Sequence, residues 1–310
     1  MRTNNRLLNN FLQDIISNGL SKNTASSYES DLIQFINYIN EKYHNNSIII
    51  DNANNTFFQS ITLEQMNEYK SKLFTEGKAS NTRSRAITAI KQLWKYLSDI
   101  NVITENPAEK LVKPDIPKRE RVYLSLEDSM KLLDSVGNID GEYKERDFAI
   151  LTLFLNCGFR LAELVSIDIN KIKNDMITVI GKGNKERTVP INDACIEAIE
   201  DYLKVRLNIE GENALFLSER KKRISKRTVQ HIVKKYLNIS VEEGEKYSTH
   251  KLRHTAATLM YKYGKIDIRT LQQILGHENI HTTEIYTHVD DEQKKSAIDS
   301  NPLNNYKKVQ

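Results

Sequence analysis

Cysteine is almost missing from this chain of 310 residues: Cys157 and Cys195 are its only two. They stand far apart in sequence and fit no metal-ligand spacing. Two isolated thiols in so long a chain point to a reducing compartment. Long apolar runs are missing too; none approaches the roughly 18 residues of a membrane span, so no membrane is expected. The first twenty residues, MRTNNRLLNNFLQDIISNGL, are broken by Asn and Asp too often for the apolar centre of a signal peptide. A cytoplasmic location is therefore expected. His250 and His254, like His277 and His281, have the i, i+4 spacing that can hold zinc on a helix. Yet there is no H-E-x-x-H and no Cys or carboxylate cluster nearby, so neither a metal nor a cofactor is expected. Nor does charge of one sign dominate. Lys and Arg number 45 against 41 Asp and Glu, a net charge of +4 that permits nucleic-acid binding without establishing it.

What is present is a polar, globular composition, 39% hydrophobic and 28% charged, at a length that predicts two domains. Residues 5–18 place Leu7, Leu8, Phe11, Leu12, Ile15 and Ile16 at helical spacing. A second helix starts at Ser21–Thr24. An Asn-rich loop is expected over residues 44–55, then helices over 62–76 and from Ser80 onward. Residues 1–112 thus read as an all-helical domain of about four helices. Its twelve Lys and Arg against eleven Asp and Glu give no hint of function. Pro107, Pro114 and Pro117 fall within eleven residues and cannot continue a helix. Residues 113–122 are therefore the expected linker, and 123–310 the second domain.

In that second domain Ser125 is a helix cap with Asp128 at the third helical position. Residues 146–156 form an apolar helix that Cys157-Gly158 stops. Arg160 heads a short helix with Glu163 behind it. An Arg between apolar helices is costly unless its charge is paired, which fits a functional residue. Around residues 176–191 the period changes to that of a hairpin, with Gly-Lys-Gly-Asn-Lys-Glu at its tip. Residues 220–235 hold eight Lys and Arg and no acidic residue; this patch, including Lys226 and Arg227, is the natural place for phosphate contacts. The expected fold is mainly α with one small β element.

The stretch from Ser248 to His288 carries the chemistry. His250 and Arg253 lie one helical turn apart and so share a face. Gly276-His277 and Tyr286 follow. An Arg fork matches a phosphate, a His donates or shuttles protons, and a Tyr hydroxyl is a nucleophile once its proton is helped away. Together with CGFRLAEL at 157–164 and GKGNKER at 181–187, this order of Arg, Lys, His-x-x-Arg, Gly-His, Tyr resembles the tyrosine recombinases, the phage-integrase and Xer family. The resemblance covers nearly the whole chain. Thr249 stands where many relatives carry Pro, which touches local backbone shape and no catalytic role.

The resemblance implies an N-terminal SAM-like core-binding domain and a C-terminal α+β catalytic domain. It implies six catalytic residues: Arg160, Lys182, His250, Arg253, His277 and Tyr286. It places Lys22, Asn23, Thr24, Thr82, Arg83 and Arg85 near DNA phosphates, and Lys185 and Arg187 on the DNA backbone. The implied partner is double-stranded DNA with paired half-sites, bound by a homo-tetramer or by a hetero-tetramer with a paralogue; the location becomes cytoplasmic and nucleoid-associated. Without the arm-binding domain of some integrases, it leans towards a simple Xer-like or mobile-element enzyme. A tail helix from about residue 290 is expected to pack on a neighbouring protomer. Two other readings share parts of this pattern: a DNA-binding regulator that no longer cleaves, and a type IB topoisomerase-like relaxing enzyme.

Overall fold

The computed structural model describes residues 3–116, 122–138, 141–181, 186–264, 266–276 and 283. The chain forms two compact units, Met1–Glu120 and Arg121–Gln310. In the first, α1 (Arg6–Ser17), α2 (Lys22–His44), α3 (Asn55–Ser60), α4 (Leu63–Thr75) and α5 (Ser80–Asp99) enclose one core. Side chains define the starts of four of them. Asn5, Ser21, Asn54 and Thr62 each accept a backbone N–H of the first turn, which would otherwise be unsatisfied. At α4 the bond is returned, because Gln65 accepts from the Thr62 N–H at 3.0 Å and closes a capping box.

The short helix α3 begins where the expected loop over residues 44–55 ends, in a stretch where no element is expected. Six residues show too little periodicity to be read from sequence. Burial of Phe57 and Phe58 together with the Asn54 cap makes the helix worth forming. The core is built around Trp94, fully buried, with Phe35 edge-on at 5.7 Å and Phe58 at 6.0 Å between ring centres.

In the second unit, α6 (Leu126–Gly137), α7 (Lys144–Cys157), α9 (Asp193–Val205), α10 (Lys226–Ser240) and α11 (Thr249–Gly264) supply most of the core. The short α8 (Leu161–Val165) follows α7, and α12 (Ile268–Leu275) follows α11. Three antiparallel strands, β1 (Ile172–Lys173), β2 (Met176–Ile180) and β3 (Glu186–Pro190), form a sheet in sequence order. In β2 and β3, Ile177 pairs with Val189 and Val179 with Arg187, which puts these four on the same, inward face.

Helix α7 is buried nearly all round, so its apolar pattern has no polar stripe. Its one buried cation, Arg146, is paired. The guanidinium donates to Asp147 Oδ1 at 2.8 and 2.9 Å and to the Leu217 carbonyl at 3.1 Å, over the ring of Tyr143. The two cysteines, isolated in sequence, are neighbours in space. The end of α7 and the first turn of α9 bring Cys157 Sγ within 3.7 Å of Cys195 Sγ, both buried as thiols. No helix among the described residues is long and apolar enough to cross a membrane.

The aromatic core yields a stability prediction. Trp94 is the sole tryptophan, so its fluorescence reports on the N-terminal unit alone. Phe58→Ala leaves a cavity against it and is expected to cost about 3–5 kcal/mol. Urea titrations of the full chain followed by that fluorescence should show a clearly lower midpoint for the variant. An unchanged midpoint contradicts the packing described.

Candidate active site

The site begins where α7 stops. Gly158 caps the helix in the left-handed conformation, φ +61°, and the chain turns to present Phe159 inward and Arg160 at the head of α8. Glu163, three residues on, folds back. Its Oε2 accepts the Arg160 backbone N–H at 2.7 Å, and its Oε1 accepts the Arg160 Nη1 at 2.7 Å. The Glu163 side chain is 1% exposed. A carboxylate so deeply buried needs further donors.

Two more arginines supply them. Arg187, from β3, donates its Nη2 to Glu163 Oε2 at 2.8 Å. Arg253, from α11, holds its Nη1 3.7 Å from the same oxygen. Burial pushes the Glu163 carboxyl up, but the hydrogen bonds and charges of Arg187 and Arg160 outweigh it and hold the group below its usual range.

The same arginines grip the end of α12. Arg187 Nη1 donates to the Ile274 carbonyl, Arg253 Nη2 to Leu275 at 2.6 Å, and Arg160 Nη2 to Gly276 at 2.9 Å. Arg253 Nη1 also donates to the Gly158 carbonyl at 2.6 Å. Three successive carbonyls at a helix C-terminus carry partial negative charge and lack intrahelical partners, so cations suit them. Gly276 is required here twice over. Its φ is +63°, and a Cβ would lie 2.7 Å from Arg187 Cδ.

His250 opens α11 one turn before Arg253, as its spacing predicts. Partial desolvation, then the charges of Arg253 and Arg160, hold its imidazole below the ordinary histidine range. It is therefore neutral at neutral pH, the form that accepts a proton. Its Nε2 lies 3.0 Å from the Nε2 of His254, with the rings edge to face. Arg160, His250 and Arg253 are thus brought together. Lys182, Lys185, His277 and Tyr286 lie outside the described residues.

Three guanidinium groups and one carboxylate leave an excess of two positive charges. Arg160 is the exposed one, at 34% of its side chain, so the excess faces solvent beside a neutral imidazole. The cluster can bind an anion and take up a proton next to it.

The remaining candidates divide. Lys22 and Asn23 are exposed in the first turn of α2, while Thr24 Oγ1 meets Ser21 Oγ at 2.9 Å. Lys226 and Arg227 are exposed in the first turn of α10. Thr82 is half-buried; Arg83 bonds Ser80 Oγ at 3.2 Å and lies over the Phe74 ring. Arg85 and Arg187 both pair with buried carboxylates. Arg85 donates Nε and Nη2 to Asp31, at 2.7 and 3.0 Å, while its side chain stays 45% exposed. Arg187, expected on the DNA backbone with Lys185, instead turns inward to Glu163 and α12. Strand alternation carried that signal, since Arg187 shares the inward face with Val189.

Glu163 makes the cluster pH-sensitive. Its ordinary pKa is 4.5 and its folded value is lower. The stability it contributes is therefore fully present above the unfolded pKa and lost as pH falls through the folded one. Glu163→Gln should cost about 3 kcal/mol at pH 7, because the buried Arg253 and the largely enclosed Arg187 lose their counter-charge. The gap in thermal midpoint between variant and wild type should narrow as pH falls below 4.5 and through the lower folded value, where the wild-type carboxyl itself takes up a proton. A gap that stays constant with pH would mean that Glu163 is not the ionised centre of the cluster.

Comparison with known proteins agrees with this arrangement. Residues 123–293 match the phage integrase family, and residues 8–100 the phage integrase N-terminal SAM-like domain. The chain is 49% identical over 296 residues to the tyrosine recombinase XerC of Caldanaerobacter subterraneus subsp. tengcongensis, covering 91% of this chain and 82% of the relative. Among solved structures it resembles the Tn1549 transposon integrase in complex with a circular intermediate DNA, with a TM-score of 0.73 at 20% identity over 94% of this chain and 98% of that one. It also resembles a lambda integrase tetramer bound to a Holliday junction, with a TM-score of 0.67 at 18% identity over 92% and 78%. These two structural likenesses concern the fold. The family matches and the 49% identity cover most of the chain: it belongs to the phage integrase family, the tyrosine recombinases.

Proposed function

We propose that this chain is a site-specific recombinase that cuts and rejoins double-stranded DNA through a covalent 3′-phosphotyrosyl intermediate. The observation that carries the reading is the cluster of Arg160 and Arg253, arranged around Glu163 with a surplus of positive charge and a neutral His250 alongside. A phosphodiester under attack gains negative charge on its non-bridging oxygens. Two pre-positioned forks stabilise that charge without reorganising. Tyr286 attacks the phosphorus. Its hydroxyl has an ordinary pKa of about 10 and needs a base, and His250 takes the proton. The bond from phosphorus to the 5′-oxygen breaks, and Lys182 protonates the leaving oxygen. His277 donates a further hydrogen bond to the phosphate. The 5′-hydroxyl of a partner strand then attacks the protein–DNA ester and releases Tyr286. The ester conserves the bond energy, so no nucleotide is consumed.

Binding of the duplex has its own support. Helices α2, α5 and α10 carry no acidic residue in the first turn, and each carries basic residues there or just beyond: Lys22, Arg83, and Lys226 with Arg227. Cations at a positive helix end are unfavourable by themselves and become favourable when an anion lies between them. DNA phosphates are such anions. Strand exchange between two duplexes needs four active sites, and the resemblance to a tetramer on a Holliday junction supports a tetramer here.

Two substitutions test the roles. Tyr286→Phe removes only the attacking oxygen, so gel-shift binding to a half-site should persist while the covalent adduct on a nicked substrate vanishes. An adduct formed by the Phe variant excludes Tyr286 as nucleophile. Lys182→Ala should slow cleavage by about 10²–10⁴-fold, the usual worth of a general acid. A substrate with sulfur at the 5′-bridging position has a leaving group that needs no proton and should recover much of that rate. If sulfur brings no gain, Lys182 is not the acid.

A further inference from the structure

We propose that Arg187 is a positioning residue for strand cleavage: through Glu163 and the end of α12 it holds Arg160 and Arg253 in the geometry that receives the scissile phosphate. The inference rests on the reading of those two arginines as the phosphate-gripping pair.

Arg187 touches both Glu163 and the end of α12, which hold the pair. It donates to Glu163 Oε2 at 2.8 Å, the oxygen that also accepts the Arg160 N–H and faces Arg253 at 3.7 Å. Its other terminal nitrogen donates to Ile274, whose neighbours Leu275 and Gly276 are the carbonyl partners of Arg253 and Arg160. Its side chain lies over Gly276, where a Cβ would come 2.7 Å from its Cδ. Arg187 itself is 15% exposed, and its two terminal nitrogens are engaged by Glu163 and the Ile274 carbonyl.

The consequence of removing it follows from the acceptors it leaves behind. Glu163 stays buried with one strong donor fewer, and the nearest replacement is Arg253 Nη1. Closing the 3.7 Å gap draws that guanidinium away from the Gly158 carbonyl, which it now meets at 2.6 Å. The Ile274 carbonyl loses its partner, and the end of α12 that holds Arg160 loosens. Both forks are displaced while their charges remain. Lysine cannot replace this function, since a single ammonium on a flexible stem does not span a carboxylate and a carbonyl in fixed register.

The test measures adduct formation in a single turnover on a nicked half-site substrate at saturating DNA, beside gel-shift affinity across a range of salt concentrations. Arg187→Ala should lower the adduct rate about 100-fold, the scale of a 1 Å misplacement in an active site. Its affinity should stay within about threefold, and its salt slope should match wild type, since no phosphate contact is lost. In a Glu163→Gln background the same change should cost clearly less than about 100-fold, because the share that Arg187 exerts through that carboxylate is already lost. Arg187→Lys should fold and be slowed about tenfold, and it decides the matter if the Ala variant does not fold.

Three results overturn the proposal. One is a salt slope shallower by about 0.9 with the adduct rate preserved, which marks a phosphate contact. Another is full additivity with Glu163→Gln. The third is a wild-type rate in folded Arg187→Lys. Failure of the underlying reading looks different: the wild-type chain then forms no adduct at all.

Discussion

A single buried carboxylate, Glu163, sets the geometry on which the catalytic unit depends. Burying an ionised group costs several kcal/mol unless donors surround it. The chain meets that cost from three directions: the start of α8, strand β3 and the first turns of α11 each contribute an arginine. One negative charge cannot balance three positive ones. The remainder is met by backbone, as the carbonyls of Ile274, Leu275 and Gly276 take one guanidinium each. A helix C-terminus is a natural counter-charge, and here it also fixes where α12 ends.

The consequence for function is a site whose positive charge is in place before any DNA arrives. Preorganised charge does its work without moving at the moment of reaction. Partial burial, with the same charges, holds the His250 imidazole below its usual range, so in the proposed mechanism the groups that grip the phosphate also prepare the base beside them. Arginine suits this architecture because each planar fork can face a protein acceptor on one side and a phosphate on the other. Away from the site, basic helix starts on α2 and α10 leave their charge unbalanced and exposed, which fits surfaces that meet a polyanion.

Much of this was legible in the sequence. Helices with caps and strong periodicity appeared where expected, α4 with its Thr62–Gln65 box foremost. The His-x-x-Arg spacing put His250 and Arg253 on one face of α11, and Gly158, read as the stop of α7, became a left-handed cap. Helix α3 was not legible, since six residues carry no period of their own and are held by the burial of two phenylalanines. Arg187 was read as a surface cation because a lone arginine looks the same whether it faces water or a buried carboxylate 24 residues away.

The sequence by itself determined most of the long helices, the hairpin, the family and the identity of the catalytic candidates, because these depend on local spacing and on residue type. Only the tertiary structure decided which charges are spent inside the protein. Pairing of Arg187 with Glu163, of Arg85 with Asp31, and the approach of Cys157 to Cys195 all join residues distant in the chain. Such pairings follow from how helices and strands pack against one another. Packing is a property of the folded core as a whole, which no local window of residues contains.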